Sequence, residues 1–363
     1  MLAVVTRSEN SGMLFKVDKK QRKREWAIGL DFGTGGVRGI VIRRHGSTLE
    51  VEAYGERPLA GEIGKPGDEP FTGGQVAELL DSLKVKDRRV FAAISSPSAV
   101  VCHTEFPRIP LDEVKGALRL NSARYLHRDF SNYYLDVAEL AEPVSEAKSP
   151  KTAKMRLLIG AASKGDVLWY RNVLEAAKAR PEMIELAAIC VVNAFQAVEP
   201  EICQKEIVLL VDIGARSTVM NFLRQGLPLF TRIMRFGGQQ VTEQISQTLT
   251  IGLAPAEEEK IKMTETVQPL VRTAILPLAR ELRSSIDFFE RQYECRVSRA
   301  FFCGGSASSA KMLEIIGQEL GMHIEAWNPV QHLGTAHFHG DAALLATEAP
   351  SLAAVVGAAV ARL

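Results

Sequence analysis

Two segments of this sequence combine an apolar run, a terminal aspartate and a turn rich in glycine and hydroxyl side chains. The first is Ile28–Ile40, in which Asp31 closes the apolar run and Gly33–Gly36 precedes a second apolar run. The second is Leu209–Phe222, in which Asp212 takes the equivalent place. Small residues let the backbone approach an anion closely, and successive N–H groups form a nest for it. The repeated pattern predicts two β-hairpins that bind the phosphates of one nucleotide.

The two aspartates are expected to hold Mg²⁺ beside those phosphates. Mg²⁺ gives up water reluctantly, so we expect Asp31 and Asp212 to bind it through waters. Either aspartate alone is explained as well by a cap on its own turn, so the inference depends on the pair. The expected phosphate-binding residues are Asp31, Gly33, Thr34, Gly35 and Gly36 in the first turn, with Asp212, Gly214, Ser217 and Thr218 in the second.

A second group of residues suits the nucleoside end of such a ligand. Glu257 and Lys260 stand three residues apart on one face of a predicted helix. They form either a surface ion pair or a clamp in which Glu257 binds ribose hydroxyls and the stem of Lys260 covers adenine. Gly237–Gly238 opens another helix, and Gly238 is counted with the nucleotide site. The segment Gly304-Gly305-Ser306 follows a strand and is either a plain turn or a surface for a nucleoside.

Composition limits the other classes of function. Lys and Arg total 44 against 43 Asp and Glu in 363 residues, so the net charge gives no reason to expect nucleic-acid binding. The five cysteines are scattered without a CxxC pair, which is typical of reduced, buried thiols. We expect neither a spanning helix of roughly 18 apolar residues nor a signal core at the N-terminus. The expected location is therefore the cytoplasm.

The order of predicted elements indicates an α/β protein in two halves, with an insertion of the order β-α-β-β-α. Residues 182–190 are predicted to form a strand and residues 191–198 a helix. A basic run from Lys16 to Arg24 precedes the first strand and is either a solvated arm or weakly attracted to anionic surfaces. The expected regions are a tail (1–24), a first domain (25–102 with 181–203), an inserted subdomain (103–180), a second domain (204–240 with 300–363) and a helical nucleotide-clamp subdomain (241–299).

Taken together, these motifs resemble the actin, Hsp70 and sugar-kinase superfamily, and within it the type IV pilus assembly protein PilM family, which is related to FtsA. The segments that carry the resemblance are Asp212–Ser217, Gly226–Arg232, Arg235–Gly238, Met155–Ser163, Trp169–Ala177, and Phe106–Pro107 with the helix Glu113–Tyr125. The resemblance implies a duplicated actin-like fold with an inserted α+β subdomain. It also implies that Gly304, Gly305 and Ser306 form the adenosine motif, with Glu257 and Lys260 as its clamp.

The function implied by the resemblance is that of a cytoplasmic scaffold that binds ATP or ADP with Mg²⁺. Its implied partner is the N-terminal cytoplasmic peptide of a PilN-like bitopic membrane protein, which would hold it at the inner membrane; self-association is a further option. The peptide is expected at the inserted subdomain, whose helix Leu111–Tyr125 carries Arg119, Arg124, Leu118 and Leu120, with Leu126 and Arg128 following it. The alternative is that these arginines are only solvated and these leucines belong only to the core. If ATP is hydrolysed, we expect slow turnover, with Asp212 orienting water through Mg²⁺.

Three other classes of protein fit the sequence less well. A small-molecule kinase of the same superfamily needs an aspartate base beside an acceptor hydroxyl, and no aspartate outside the two turns stands in such a context. An FtsA-like cell-division protein ends in a basic amphipathic helix, whereas residues 353–361 are small and apolar. A Rossmann dehydrogenase requires a helix directly after the glycine turn, and here a strand follows.

Overall fold

The computed structural model describes residues 5–6, 24–33, 35–59, 64–140 and 154–363. The chain divides into two compact units. The first contains Met1–Val198, Val330–Leu345 and Ala354–Leu363, and the second contains Glu199–Pro329 and Ala346–Ala353. Of the predicted tail 1–24, only Val5–Thr6 and Arg24 lie within the described residues. The charged segment 142–154, which the sequence predicts as a hairpin tip, lies outside them except for Lys154.

The first unit contains two sheets and the helices around them. Its strands are β1 (Val5–Thr6), β2 (Trp26–Gly33), β3 (Gly36–His45), β4 (Thr48–Pro58), β5 (Arg89–Ile94), β6 (Val100–Pro107), β7 (Tyr133–Leu140), β8 (Lys154–Ser163) and β9 (Arg180–Leu186). Its helices are α1 (Glu69–Ser82), α2 (Leu111–Leu126), α3 (Lys164–Ala176) and α4 (Ala187–Val198).

The larger sheet has the strand order β1-β9-β5-β2-β3-β4. Strands β2, β3 and β4 form an antiparallel meander, and β5 and β9 continue the sheet in parallel to β2. Strands β2 and β5 are buried on both faces, as is usual where parallel pairing occurs. The pairing places the carboxyl ends of β2, β5 and β9 at one edge.

The smaller sheet has the order β6-β8-β7 and packs against α2. A buried ion pair fixes this packing, since Lys115 Nζ lies 2.6 Å from a carboxylate oxygen of Asp136, which is 1% exposed. Helix α2 is interrupted at Asn121, whose φ of −154° is not helical. The hydroxyl of Ser122 accepts a hydrogen bond from the Phe130 amide at 2.8 Å, which holds the chain that follows the helix.

Helix α3 belongs to the core of the larger sheet. Its Trp169, Tyr170 and Val173 lie in one buried cluster with Ile28 and Leu79. The sequence placed this helix inside an inserted subdomain spanning 103–180, whereas its apolar face is buried against α1 and the larger sheet. Within the described part of this range, β6–β8 and α2 form a core of their own, around Phe106 and Leu157.

The second unit is built on one five-stranded sheet of order β12-β11-β10-β13-β14. Its strands are β10 (Ile207–Ile213), β11 (Thr218–Arg224), β12 (Leu227–Met234), β13 (Arg299–Cys303) and β14 (Glu325–Ala326). Its helices are α5 (Pro200–Lys205), α6 (Gly238–Leu249), α7 (Leu253–Lys262), α8 (Gln268–Tyr293) and α9 (Ala310–Leu320). Strands β10, β11 and β12 are antiparallel, and β13 is parallel to β10. This repeats the meander-plus-parallel-strand arrangement of the first unit.

The end of the chain returns to the first unit. Helix α10 (Ala342–Glu348) leads through a short 3₁₀ helix (Ala349–Leu352) to α11 (Ala353–Val360). A Cβ atom on Gly29 would overlap the carbonyl oxygen of Val355, and one on Gly357 would overlap that of Cys190, so α11 lies directly against β2 and α4. The domain boundaries predicted from the sequence assigned 300–363 to the second domain. In the structure, this close glycine packing places 354–363 in the first unit.

Among the described residues, one stretch, Ala342–Val360, is long and apolar enough to cross a membrane, by length and composition alone. In the structure most of this stretch is buried, and it is divided between α10, the 3₁₀ helix and α11. Burial of this kind is also what the core helix of a folded domain shows.

Candidate functional site

The second hairpin places Asp212 at the carboxyl end of a buried strand. In β10, Asp212 pairs with Val219 of β11 on one side and with Cys303 of β13 on the other. The turn that follows is closed by a hydrogen bond from the amide of Gly214 to the carbonyl of Ser217 at 2.9 Å. Asp212 is partly exposed, so its carboxylate is accessible at this end of the sheet.

Gly304 lies against the carboxylate of Asp212. It has a φ of +90°, and a Cβ atom there would overlap Oδ1 of Asp212 and the carbonyl oxygen of Ile213. Its amide donates to the carbonyl of Pro350 at 2.7 Å. The next residue, Gly305, is exposed, and a Cβ atom on it would meet nothing within 4 Å. The first glycine therefore brings the turn close to Asp212, and the second offers an open backbone surface.

The turn of the second hairpin is joined to the start of α6. The amide of Gly238 donates to the carbonyl of Gly214 at 2.9 Å, and that of Gln239 donates to Ala215 at 2.8 Å. The hydroxyl of Thr218 is fully buried and donates to the Phe236 carbonyl at 2.8 Å. Thr218 thus holds the chain before α6 in place, with its hydroxyl directed into the protein.

A polar cluster connects α6, α7 and the turn after β13. The ammonium group of Lys260 donates to the Gly238 carbonyl at 3.1 Å, to the Thr242 hydroxyl at 2.9 Å and to Glu257 at 2.7 Å. Thr242 also donates to Glu257. A Cβ atom on Gly238 would lie 2.5 Å from the hydroxyl oxygen of Ser306, so this serine borders the same cluster. The side chain of Lys260 is 13% exposed and that of Glu257 45%.

The structure therefore brings together the residues that the sequence selected in the second half of the chain. Asp212 touches Gly304, the Gly214 turn is bonded to Gly238, and Gly238 contacts both Lys260 and Ser306. Thr242 was missed, although it stands four residues after Gly238 on the same face of α6. Its position on that face, next to a glycine at the helix start, was the available signal.

The first hairpin belongs to the first unit. Asp31 pairs with Arg38 across β2 and β3 and is 6% exposed. Burial raises the pKa of Asp31 to about 6, and the positive charge of Arg38 opposes this rise. Gly33 faces Gly36 in the register, and Gly35 is exposed. Thr34 lies outside the described residues.

Sequence reasoning also missed a buried carboxylate near Asp31. Glu185 is fully buried in β9 and accepts a hydrogen bond from the side-chain amide of Asn193 at 3.0 Å. Burial, together with the charges of Glu185 and Asp31, raises the pKa of the Cys190 thiol well above its usual value. The signal in the sequence was an acidic residue inside the apolar run 183–192.

A comparison with family models decides the affiliation of the chain. The model described as type IV pilus assembly protein PilM matches residues 29–363. The chain belongs to this family. The resemblance stated from the sequence is thereby confirmed, and with it the assignment to type IV pilus assembly.

Solved structures support the fold. A PilM–PilN type IV pilus biogenesis complex matches with a TM-score of 0.80 and 23% identity over 93% of this chain and 98% of that chain. The ethanolamine utilization protein EutJ from Carboxydothermus hydrogenoformans matches with a TM-score of 0.55 and 14% identity, covering 92% of this chain and 88% of that one. MreB5 of Spiroplasma citri, bound to ADP, matches with a TM-score of 0.52 and 11% identity over 92% and 94%. The predicted actin-like α/β fold is confirmed.

Proposed function

We propose that this PilM family protein is a nucleotide-binding scaffold for assembly of a type IV pilus or a related secretion system. The observation that supports nucleotide binding is the continuous set of contacts in the second unit from Asp212 through Gly304 and Gly238 to Lys260. MreB5, which has the same fold, is a protein whose structure contains ADP. The ligand proposed here is ATP or ADP with Mg²⁺.

The donor set fits a magnesium–phosphate group. A partly exposed carboxylate, Asp212, stands beside a glycine-lined turn, and Mg²⁺ prefers such oxygen ligands while keeping several waters. We assign the phosphate contacts to the turn residues Ala215–Ser217, because the amide of Gly214 is already bonded to Ser217. When bound, Mg²⁺ would neutralise phosphate charge. Binding by Asp31, Gly33, Thr34, Gly35 and Gly36 of the first hairpin stays a prediction.

The nucleoside end is assigned to the cluster around Lys260. Because the ammonium group of Lys260 is bonded to three acceptors, its alkyl stem is held in one position and can cover a base. Glu257 is oriented by the same contacts while nearly half exposed, so its carboxylate can accept hydrogen bonds from ribose hydroxyls. The open backbone at Gly305 provides a flat surface for the rest of the nucleoside.

Calorimetric titration with Mg²⁺-ADP tests this assignment. Asp212→Asn and Glu257→Gln should each weaken binding by tenfold or more, equivalent to ~1.4 kcal/mol or more. Glu258→Gln is the matched control, because Glu258 is the next residue of α7 and pairs instead with Lys262 at 3.6 Å. Unchanged affinity in both test variants would refute the nucleotide site.

We infer that nucleotide serves the protein as a bound ligand, with slow hydrolysis at most. Asp212 is the residue that would orient water through Mg²⁺. A phosphate-release assay on the full chain measures the rate directly. Turnover near ~1 s⁻¹, the low end for kinases, would contradict this inference.

We further propose that the chain binds the N-terminal cytoplasmic peptide of a PilN-like inner-membrane protein. The support is the match to a chain of a PilM–PilN complex, together with the small sheet, in which β6 and β7 are the edge strands among the described residues. An extended peptide can add to such an edge by main-chain hydrogen bonds, while its side chains fill pockets. The protein would then be cytoplasmic and held at the inner membrane by its partner.

The surface of α2 supplies the apolar contacts for such a peptide. Leu120 is 89% exposed and Tyr125 37%, whereas Leu118 is buried in the core of the small sheet. The guanidinium of Arg124 lies 5.8 Å from the ring centroid of Tyr125, and that of Arg128 lies 5.4 Å from the centroid of Phe130. Stacked arginines and an exposed aromatic residue are common at protein interfaces.

Titration with a synthetic peptide that has the N-terminal sequence of a PilN-like bitopic protein tests the partner. Deleting 103–180 is unsuitable, since it removes α3 from the core of the larger sheet. Leu120→Asp should instead weaken peptide binding by tenfold or more without affecting folding. Leu253→Asp is the control, because Leu253 is 55% exposed on α7. Equal peptide affinity in the two variants would refute the role of α2.

A further inference from the structure

Two histidines and a glutamate of the first unit lie together away from the glycine turn of the first hairpin. Among the residues that the structure describes, His45, Glu50 and His337 each place one ligand atom within 4.8 Å of the other two. His337 Nδ1 is 2.9 Å from Oε2 of Glu50. The rings of His45 and His337 are stacked, with centroids 5.3 Å apart. The cluster is far from the glycine turn, since His45 and Gly36 mark opposite ends of β3, ~30 Å apart at about 3.3 Å per residue.

The backbone holds these three side chains in register. His45 ends β3, and Glu50 stands near the start of β4, across a tight turn from it. The segment 334–339 is bonded to β4 at both of its ends. The Val51 amide donates to the Gly334 carbonyl at 2.8 Å, and the His339 amide donates to the Glu52 carbonyl at 2.7 Å. His337, which lies between these bonds, is therefore held beside Glu50.

The carboxylate of Glu50 is not paired with the arginine that faces it in the sheet. Arg43, which pairs with Glu50 in the strand register, directs its guanidinium to Glu52. Glu50 is itself mostly covered, with 14% of its side chain exposed, whereas 61% of His337 is exposed. The Cγ of Glu50 would be 2.6 Å from a Cβ on Gly334, so the glycine lets the segment approach the carboxylate.

The donor set distinguishes between classes of metal. Two imidazoles with one carboxylate suit divalent first-row transition metals, whereas Mg²⁺ and Ca²⁺ prefer oxygen ligands alone. Zn²⁺ sites with three protein ligands use such sets and keep a fourth position for water. Bonds of about 2.0–2.2 Å place tetrahedral ligand atoms roughly 3.3 Å apart, so small side-chain adjustments suffice here.

We propose that His45, Glu50 and His337 form a Zn²⁺ site that fastens the segment 334–339 to the edge strand β4. The ion joins the β3–β4 hairpin to a part of the chain almost 290 positions later, which gives it a structural role in the first unit. In the metal-free protein the His337–Glu50 hydrogen bond holds the ligands near one another, and Zn²⁺ replaces the proton between them.

Calorimetric titration of the untagged full chain with Zn²⁺ tests the site. One equivalent of Zn²⁺ should bind. In the double variant His45→Gln/His337→Gln the affinity should fall by at least ~10–100-fold, since that is the loss typical of removing residues that only orient the ligands. His332→Gln is the matched control, since His332 is an exposed histidine before the same segment and bonds to Gln331. Zero stoichiometry, or equal affinity in the double variant and the control, overturns the proposal.

Hydrogen exchange tests the fastening role separately. Zn²⁺ should slow exchange of the Val51, Gly334 and His339 amides, whose hydrogen bonds join the segment to β4. The double variant should show no such slowing while keeping the same circular dichroism spectrum. Zinc binding without slower exchange at these amides would overturn the structural role of the ion.

Discussion

Gly304 and Gly305 follow β13 side by side but have different surroundings. A side chain at 304 would overlap Asp212 and require a left-handed backbone, whereas one at 305 would meet nothing within 4 Å. Gly304→Ala should therefore lower the free energy of unfolding by at least the ~1–3 kcal/mol of backbone strain at such a position. Gly305→Ala should change it by less than ~0.5 kcal/mol. Urea denaturation of both variants measures the difference, and equal stabilities would contradict the arrangement of this turn.

Asp31 makes stability depend on pH. Burial raises its pKa from 3.8 to about 6, so between these pH values the folded protein binds more protons than the unfolded chain. The free energy of unfolding should therefore fall as pH rises through this range, by up to roughly 3 kcal/mol at 1.36 kcal/mol per unit. Asp31→Asn should match the wild type near pH 4 and exceed its stability at pH 7. A stability difference that stays constant with pH, measured by urea denaturation, would contradict this.

At the scale of residues, sequence patterns identified which positions meet but not what each atom does. The spacing of Glu257 and Lys260 predicted their contact, because residues three apart face one another on a helix. It gave no sign that the Lys260 ammonium also binds Gly238 and Thr242, since those contacts join separate helices. Likewise, the hydroxyl of Thr218 suited a phosphate turn, yet it donates to Phe236 inside the protein.

The contact between α1 and α3 depends on one glycine of an adjacent pair. A Cβ atom on Gly73 would lie 2.6 Å from that of Ala176, while one on the exposed Gly74 would meet nothing within 4 Å. Gly73→Ala should lower the free energy of unfolding by ~1–3 kcal/mol, because the added methyl group overpacks the contact. Gly74→Ala should raise the free energy of unfolding by up to about 1 kcal/mol, because alanine favours the helix interior. In both thermal and urea unfolding, the midpoints of the two variants should therefore shift in opposite directions from the wild type. Shifts of the same sign in the two variants would show that α3 does not pack on α1 in this way.

Elements were predictable where a periodic pattern was uninterrupted. The sequence predicts a strand over residues 133–140 in the insertion, and β7 has these bounds. The predicted strand 182–190 was wrong in its second half, because β9 ends at Leu186 and α4 begins at Ala187. That region is apolar and buried on all sides, so neither the two-residue period of a strand nor the 3.6-residue period of a helix marks the change between them. The interruption of α2 at Asn121 was not predicted either, although the Asn121 side chain accepts a hydrogen bond from the Arg124 amide at 3.2 Å, a local cap that asparagine favours.

For the whole molecule, the repeated Asp-x-Gly hairpin correctly predicted a duplicated fold, because each hairpin begins a meander completed by a parallel strand. The path of the chain between the units was not predictable. The chain passes from one unit to the other four times, at 198, 329, 345 and 353. The last passage returns a small, apolar helix to the first unit, and no local pattern states which sheet such a helix covers.

The placement of α11 predicts where a defect in this helix will act. Gly357→Ala introduces a methyl group that overlaps the Cys190 carbonyl oxygen, so α11 must move away from α4 and β2. Amide exchange should quicken in β2 and α4, whose residues lie in the first unit, while β10 and β13 keep their protection because they belong to a separate core. Gly116→Ala in α2 is the control, since a Cβ atom there meets nothing within 4 Å. If exchange in β10 and β13 rises as much as in β2, the two cores unfold as one, and the return of α11 stabilises both units together.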